Sequence, residues 1–246
     1  MTSYKKYLDL EVFEGDISSH EFPYHFHQCY TIVFVELGSV SYQFQRENVE
    51  VSKDDILIIA PLESHKNVIK RRTKYKAIFI PEYYFDFYSH EKISSQIISG
   101  SRLIQVLQIF IRNFNESTER GEVKRNVKRI CRMINQPLKL QASEGVSIKN
   151  SPLNFSGNSR KMEYDSNIDS LSHHAHLSKF HFQRKFKKIN GLTVNQYKQQ
   201  QKTLEARALL EQGVKSTEVA HRLGFFDQSH FIKYFKKMWI LPPKYI

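Results

Sequence analysis

A chain of 246 residues with a formal net charge of +12 has room for one large domain or two ordinary ones, each with a sizeable core. Its two cysteines, Cys29 and Cys131, lack metal-ligand spacing, which argues against a disulfide framework and fits a reducing compartment. The sequence has neither a charged-then-apolar leader nor an apolar run of membrane-spanning length, so a cytoplasmic protein without membrane contact is expected.

The charge is unevenly spread. Residues 1–118 hold thirteen Lys and Arg against fifteen Asp and Glu, whereas 168–246 hold fourteen against five. A near-neutral front and a basic rear imply that only the rear meets a polyanion; the alternative is basic residues kept for solubility alone.

From 21 to 80 the texture is all-β. Residues 30–36 (YTIVFVE) are an apolar run rich in β-branched and aromatic side chains, and Gly38-Ser39 turns it into 40–44 (VSYQF), which alternates with period two. Strands at 49–51, 56–60 (ILIIA) and 76–80 come next, with Lys53-Asp54-Asp55 as a turn. Short strands at regular spacing predict a small barrel or sandwich. His25 and His27 stand before the first long strand and His65 just after Pro61. Two histidines one residue apart on an extended segment point the same way, so with His65 they can present three ring nitrogens to one space. They border an effector pocket together with Tyr30 and Tyr42, or are plain structural residues, or hold a catalytic metal; the first reading is adopted.

Residues 101–117 (SRLIQVLQIFIRNFNES) are the clearest amphipathic helix of the front half, with Leu103, Val106, Leu107, Phe110, Ile111 and Phe114 at helical spacing. So broad a stripe fits the barrel's own flank or the same helix of a second subunit, and a homodimer through Leu103, Leu107, Phe110 and Phe114 is expected. Residues 122–135 read as a second helix, with Val123, Val127, Ile130, Cys131 and Ile134 inward and Lys124, Arg125, Lys128, Arg129 and Arg132 outward. It is either a scaffold helix for the rear half of the chain or part of a connection. Residues 136–167, rich in Ser, Asn, Gly and Pro, read as a long flexible stretch, either an inserted loop or one containing a weak helix around 158–164.

The rear is helical. Ser178 can cap a helix that Gly191 ends. At about 100° per residue, Phe182 and Phe186 stack on one face of it, while Phe180, Gln183, Arg184 and Lys187 share the opposite one. Gln and Arg make bidentate contacts with adenine and guanine edges, so this face suits a DNA major groove. The short helix 168–176 ahead of it sets Leu171 and Ala175 against the two phenylalanines, giving a helix-turn-helix. The pattern then returns. Residues 217–220 (TEVA) open a second short helix, Leu223-Gly224-Phe225 make the turn, and Asp227 caps QSHFIKYFKK, in which Phe231 and Phe235 repeat the roles of Phe182 and Phe186. Residues 193–212 between the units form one helical run with Tyr197, Ala206, Leu209 and Leu210 inward. About twenty residues at about 1.5 Å each span about 30 Å, close to the ~34 Å between successive major grooves on one DNA face. His173, His174, His176 and His181 lie close in sequence, at a spacing that fits no tetrahedral metal set.

These residues carry a resemblance. From about 168 onward, LSKFHFQRKFKK, GLTVNQY, EARALLEQG, EVAHRLGFFDQSHFIKYFKK and PPKY resemble the double helix-turn-helix domain of AraC/XylS-type transcription regulators. The resemblance implies that Phe180, Gln183 and Arg184 touch bases from the first recognition helix, and Gln228, Ser229, His230 and Lys233 from the second. Phosphate contacts are assigned to Ser178, Lys185, Lys187, Lys188, Lys236 and Lys237. Thr217, Ile240 and the short ending PPKYI depart from the family pattern, and Ile232 with Lys233 offers only one polar reader, so the second head should read less selectively. Residues 21–80, through YHFHQCYTIVFVELG and SKDDILIIAPLESH, are similar to the cupin-like ligand-binding half common in such regulators, with Asp55 in place of the usual turn glycine. That likeness implies a small-molecule pocket inside the barrel. Cupin enzymes usually carry a carboxylate four residues past the second histidine, where Thr31 stands here.

The expectation is an α+β chain of two domains. A cupin-like β-barrel with a dimerisation helix covers 1–118, a helix and flexible connection 119–165, and an all-α double helix-turn-helix 166–246. It is expected to be a sequence-specific regulator, an activator, that binds double-stranded DNA under control of a small molecule or of dimerisation, with no catalytic residue, metal or cofactor. The alternatives are a metal-dependent cupin enzyme with a nucleic-acid-binding appendage, and an architectural or antagonist protein whose barrel only dimerises.

Overall fold

The computed structural model describes residues 2–45, 47–86, 93–115, 118–140 and 167–239, with 136–140 as backbone alone. Residues 141–166 of the expected flexible stretch, with the weak helix near 158–164, and the PPKY ending lie outside the described residues, whereas 136–140 continue a helix and Asn167 caps the next one, so the flexible reading fails at both ends. The chain divides into two compact units; among the described residues one is built from ten strands and three helices, the other from five helices.

The first unit contains β1 (Thr2–Tyr7), β2 (Leu10–Ile17), β3 (His20–Glu21), β4 (Tyr30–Leu37), β5 (Ser39–Phe44), β6 (Asn48–Ser52), β7 (Asp55–Ile59), β8 (His65–Ile69), β9 (Thr73–Ile80) and β10 (Gln96–Ser99). Its helices are α1 (Tyr83–Asp86), α2 (Ser101–Arg112) and α3 (Arg120–Leu140). A six-stranded sheet runs β1-β2-β9-β4-β7-β10 and a four-stranded sheet β3-β8-β5-β6, and their ladders are antiparallel. The long strand at 30 and its successors stand where the alternation put them. Five strands were not expected, β1, β2, β3, β8 and β10. β1 carries Lys5 and Lys6 at the edge of its sheet, where charge guards against stray pairing and hides the apolar signal. β2 pairs with β9 in the sheet interior, and β8 (HKNVI) is largely polar in sequence.

Two turns explain local departures. Gly38 has φ 78°, and a Cβ there would come within 2.7 Å of the Arg72 carbonyl oxygen, so only glycine fits between β4 and β5. At the next hairpin Asp54 itself takes the left-handed conformation, φ 75°. The Asp55 carboxylate closes this turn by accepting from Ser52 N at 3.0 Å and Ser52 Oγ at 2.8 Å, which is how the chain manages without the usual glycine.

One face of the larger sheet meets α2 and α3. Tyr30, Ile32 and Phe34 of β4, Ile56 and Ile58 of β7, and Ile78 and Ile80 of β9 pack with Leu103, Leu107, Phe110, Ile111 and Phe114, and with Val123, Val127, Ile130, Cys131 and Ile134 of α3. This corrects the expected homodimer contact. Leu103, Leu107, Phe110 and Phe114 are buried in the chain's own core, because α3 and the sheet together cover the whole apolar stripe. It also places α3, read as scaffold or connection, in the core of the first unit. Its basic face, Lys124, Arg125, Lys128, Arg129 and Arg132, is exposed as expected.

The second unit consists of α4 (Ile168–His174), α5 (Lys179–Asn190), α6 (Val194–Glu211), α7 (Ser216–Arg222) and α8 (Gln228–Trp239). No helix among the described residues is long and apolar enough to cross a membrane.

Candidate nucleic-acid interface and barrel site

Each recognition helix is fixed by its cap and by two phenylalanines. Ser178 accepts a hydrogen bond from His181 N at 3.3 Å, and Gly191 ends α5 with φ 70°. Between them Phe182 and Phe186 are buried with Val194, against Leu171, Ala175 and Tyr197. Asp227 caps α8 by accepting from His230 N at 2.6 Å, and Phe231 and Phe235 are fully buried with Ala206, Val219, Ala220, Leu223 and Phe225. The wall comes from α4 and α6 for α5, and from α6 and α7 for α8, so the opposite face of each recognition helix is left outward.

That outward face holds most of the expected readers. Phe180, Gln183, Arg184, Lys185, Lys187 and Lys188 are exposed on α5, and Ser229, His230, Lys233, Lys236 and Lys237 on α8. Phe180 is 71 % exposed, and the Arg184 guanidinium lies over its ring at 5.0 Å from the centroid. A cation held on an aromatic face is attracted by the ring quadrupole and loses rotamer freedom before any ligand arrives. Gln228 is exposed with them, and its amide donates to Ser216 Oγ at 2.7 Å, which ties the start of α8 to the start of α7. His230 packs edge-on against Phe225 and Tyr234, with ring centroids 5.8 and 5.3 Å away.

The two heads share α6. Thr193 and Gln196 form a reciprocal capping box at its start, with bonds of 2.8 and 3.2 Å. Val194 and Tyr197 then belong to the apolar cluster of the first head, and Ala206, Leu209 and Leu210 to that of the second.

In the first unit, His27 packs on Phe79 of the larger sheet at 4.9 Å and on His65 of the smaller at 5.4 Å, so the histidines lie where the two sheets face one another. His25, His27 and His65 each offer one ring nitrogen, and these atoms lie within 4.8 Å of one another. His25 Nδ1 donates to Pro23 O at 2.8 Å, and burial holds its pKa down at about 4, so the ring is neutral. His65 Nδ1 donates to Glu63 O at 2.9 Å. Tyr42 joins them, its ring 5.9 Å from that of His65, and burial raises its hydroxyl above the ordinary range.

Tyr30 does not. It lies in the cluster beneath α2 and α3, with its ring 4.3 Å from Phe85 and its hydroxyl accepting from Ile93 N at 3.1 Å. Neighbours on a strand point to opposite faces, so Thr31 takes the side that Tyr30 leaves. Thr31 is directly opposite Phe79 in the ladder, which puts it beside the histidines. Asn67 is opposite Tyr42 in the other sheet. Neither was read as a pocket residue in the sequence, and both are buried with a side-chain atom, Thr31 Oγ1 and Asn67 Oδ1, that has no hydrogen-bond partner. Thr31 had a sign there, since it stands where cupin enzymes usually carry a carboxylate; Asn67 had only its two-residue spacing from His65.

Comparison with known proteins returns the same two parts. The model of the AraC-like ligand binding domain matches residues 7–132, and that of a helix-turn-helix domain matches 171–245. The chain is 25% identical over 261 residues to an uncharacterised HTH-type transcriptional regulator of Bacillus subtilis, YbfI, covering 91% of this chain and 86% of that one. It is 34% identical over 77 residues to the probable transcription factor PqrA of Proteus vulgaris, covering 31% of this chain and 63% of that one. Among solved structures, apo ToxT of Vibrio cholerae superposes with a TM-score of 0.63 at 11% identity, covering 98% of this chain and 97% of that one. Unsaturated fatty acid bound ToxT gives 0.59 at 11% identity, covering 95% and 92%.

Proposed function

This chain belongs to the family of AraC-type transcription regulators, and from that premise we propose that its two heads read successive major grooves of one DNA site while the barrel binds a small effector. One observation carries the proposal. Both heads pack onto α6, whose eighteen residues at about 1.5 Å each span about 27 Å, near the ~34 Å of one DNA turn.

In this reading Arg184, Gln183 and Phe180 read bases from α5, and Gln228, Ser229, His230 and Lys233 do so from α8. Ser178, Lys185, Lys187, Lys188, Lys236 and Lys237 grip phosphates, which position the helices and carry no sequence information. Lys236→Ala is accordingly expected to weaken all sequences alike and to reduce the salt slope by about one. Binding isotherms at several salt concentrations, on a selected and a scrambled duplex, measure both.

The effector chamber is bordered by His25, His27, His65, Tyr42, Thr31 and Asn67. Its polar atoms support a small ligand able to donate hydrogen bonds rather than a purely apolar one. A homodimer is also proposed, through a surface other than the buried stripe; Ile109, 55 % exposed on the outer face of α2, is compatible with that. Action on DNA implies a cytoplasmic location. The enzyme alternative is weaker, because the histidine group found among the described residues includes no carboxylate to serve as general acid or base.

Selection of bound duplexes from a random library at near-physiological salt tests the reading. Two enriched blocks about one helical turn apart are expected. A single block would overturn the two-headed reading, and no enrichment would overturn sequence-specific binding by the chain alone.

A further inference from the structure

We propose that the basic face of α3 is a further grip on DNA, a stripe on the first unit that contacts phosphates of the duplex held by the second. It rests on the reading of the chain as a DNA-binding regulator and goes beyond it, because it gives the ligand-binding half a nucleic-acid contact of its own.

The distribution of charge is the first argument. Residues 119–135 hold six Lys and Arg against two Asp and Glu, whereas residues 1–118 hold thirteen against fifteen. Beyond Glu122, α3 has no acidic residue. Lys124, Arg125, Lys128, Arg129 and Arg132 recur at helical spacing and are all exposed, with Arg125 in a loose pair with Glu119 at 3.9 Å. From Lys124 to Arg132 the stripe runs about 12 Å, a length over which B-DNA presents on the order of seven phosphates.

The second argument is that the stripe works against the helix that carries it. Lys124 and Lys128, Arg125 and Arg129, and Lys128 and Arg132 are like charges four residues apart, a spacing at which like charges weaken a helix. Arg120 adds a cation at the N-terminus, against the helix dipole. A face kept only for solubility is served as well by Glu and Lys four apart, which stabilise instead. A polyanion offsets the repulsion by neutralising it.

The chemistry of the face then selects the partner. Protein interfaces are anchored by aromatic or other large side chains in desolvated pockets, and a helix lying on a membrane needs an apolar face to bury. On α3 the apolar residues Val123, Val127, Ile130, Cys131 and Ile134 are buried in the core, and the exposed side chains described are charged. A phosphate contact asks for positive charge held in position and nothing more. The core supplies the holding, since Val127, Ile130 and Ile134 are fully buried. Both units belong to one chain, so a duplex bound by the second is the polyanion brought to the highest effective concentration around the first.

The test is the salt dependence of full-chain binding to the selected duplex, embedded in long flanking sequence. For Arg125→Gln/Arg129→Gln the slope of log affinity against log salt is expected to fall by about two, at about 0.9 per phosphate contact, with about tenfold weaker binding at near-physiological salt. The ratio of selected to scrambled duplex should not change. Arg125→Lys/Arg129→Lys should keep the parent slope, since the grip needs charge alone. Lys70→Gln/Arg71→Gln removes the same charge from exposed positions between β8 and β9, and should keep it too. Thermal melts report folding, and if the glutamine pair does not fold, Lys124→Gln decides, with an expected fall of about one. An unchanged slope in a folded stripe variant, or an equal fall in the Lys70/Arg71 control, would overturn the proposal. So would unchanged DNA binding with lost binding to phosphatidylserine vesicles, which would assign the stripe to an anionic lipid surface. Sequence preference is a separate readout from the slope. A variant that selects its duplex with an unaltered slope refutes the stripe alone, whereas a parent chain that selects no duplex refutes the regulator reading and the stripe with it.

Discussion

Replacing Arg184 by alanine removes preference at one base pair of the target, at a cost of about 1–3 kcal/mol for the preferred duplex and little for its mutated version. The reason lies in position rather than in charge alone. Arg184 stands on the face of α5 directly away from Phe182 and Phe186, and its guanidinium is already parked over the exposed Phe180 ring. A planar donor fork held in one place loses less freedom on pairing with a guanine edge than a mobile one. Phe180→Ala is expected to reproduce part of the loss, about 0.5–1 kcal/mol, by releasing that fork. Competition binding on the selected duplex and its single-base variants separates the outcomes. If Arg184→Ala weakens every sequence alike, as expected for Lys236→Ala, Arg184 is an anchor and the division between readers and grips is wrong.

Leu107→Asn, by contrast, should cost the first unit about 3–5 kcal/mol of stability without dissociating an oligomer. Leu107 is 0 % exposed, in one cluster with Val127, Ile130, Ile134 and the isoleucines of β7 and β9. Truncating such a leucine costs about 2–5 kcal/mol, and an amide left without partners adds to it. Ile109→Asn on the outer face of the same helix serves as the control, expected within about 0.5 kcal/mol of the parent. Thermal melts and sedimentation read stability and mass together. A Leu107→Asn chain that melts normally but halves its mass would restore the buried stripe as a subunit contact.

The recognition helices were legible because everything that makes them is local. A serine or aspartate cap and two phenylalanines four apart lie within a dozen residues in each unit, and the helix period alone puts Phe180 and Arg184 on the far side. The barrel was legible only in part. In β4 the residues 30–35 are buried on both faces, so an unbroken apolar run shows that a strand exists but not which side each residue takes. Tyr30 was therefore put among the histidines, when it is Thr31 that stands there. The α2 stripe shows the same limit: periodicity reveals an apolar face, and only the position of α3, eight residues further along the chain, reveals what covers it. The hydrogen bond from Gln228 was not legible in the sequence, because its partner, Ser216, lies twelve residues earlier across a turn. The convergence of His25 and His27 with His65 was anticipated from their spacing, whereas the tautomers that make it chemically specific depend on two carbonyls no pattern could reveal.

The sharing of α6 between two apolar clusters bears on how such a protein can diverge. One residue inserted into that helix would turn one cluster against the other by about 100° and shift it by about 1.5 Å. Such a change would strip Ala206 and Leu210 from their neighbours before any DNA was met. Length changes there are therefore closed to gradual variation, while the exposed faces of α5 and α8 can be substituted freely. A lineage built this way can acquire new target sequences by point changes, yet the interval between the two halves of every target stays the same.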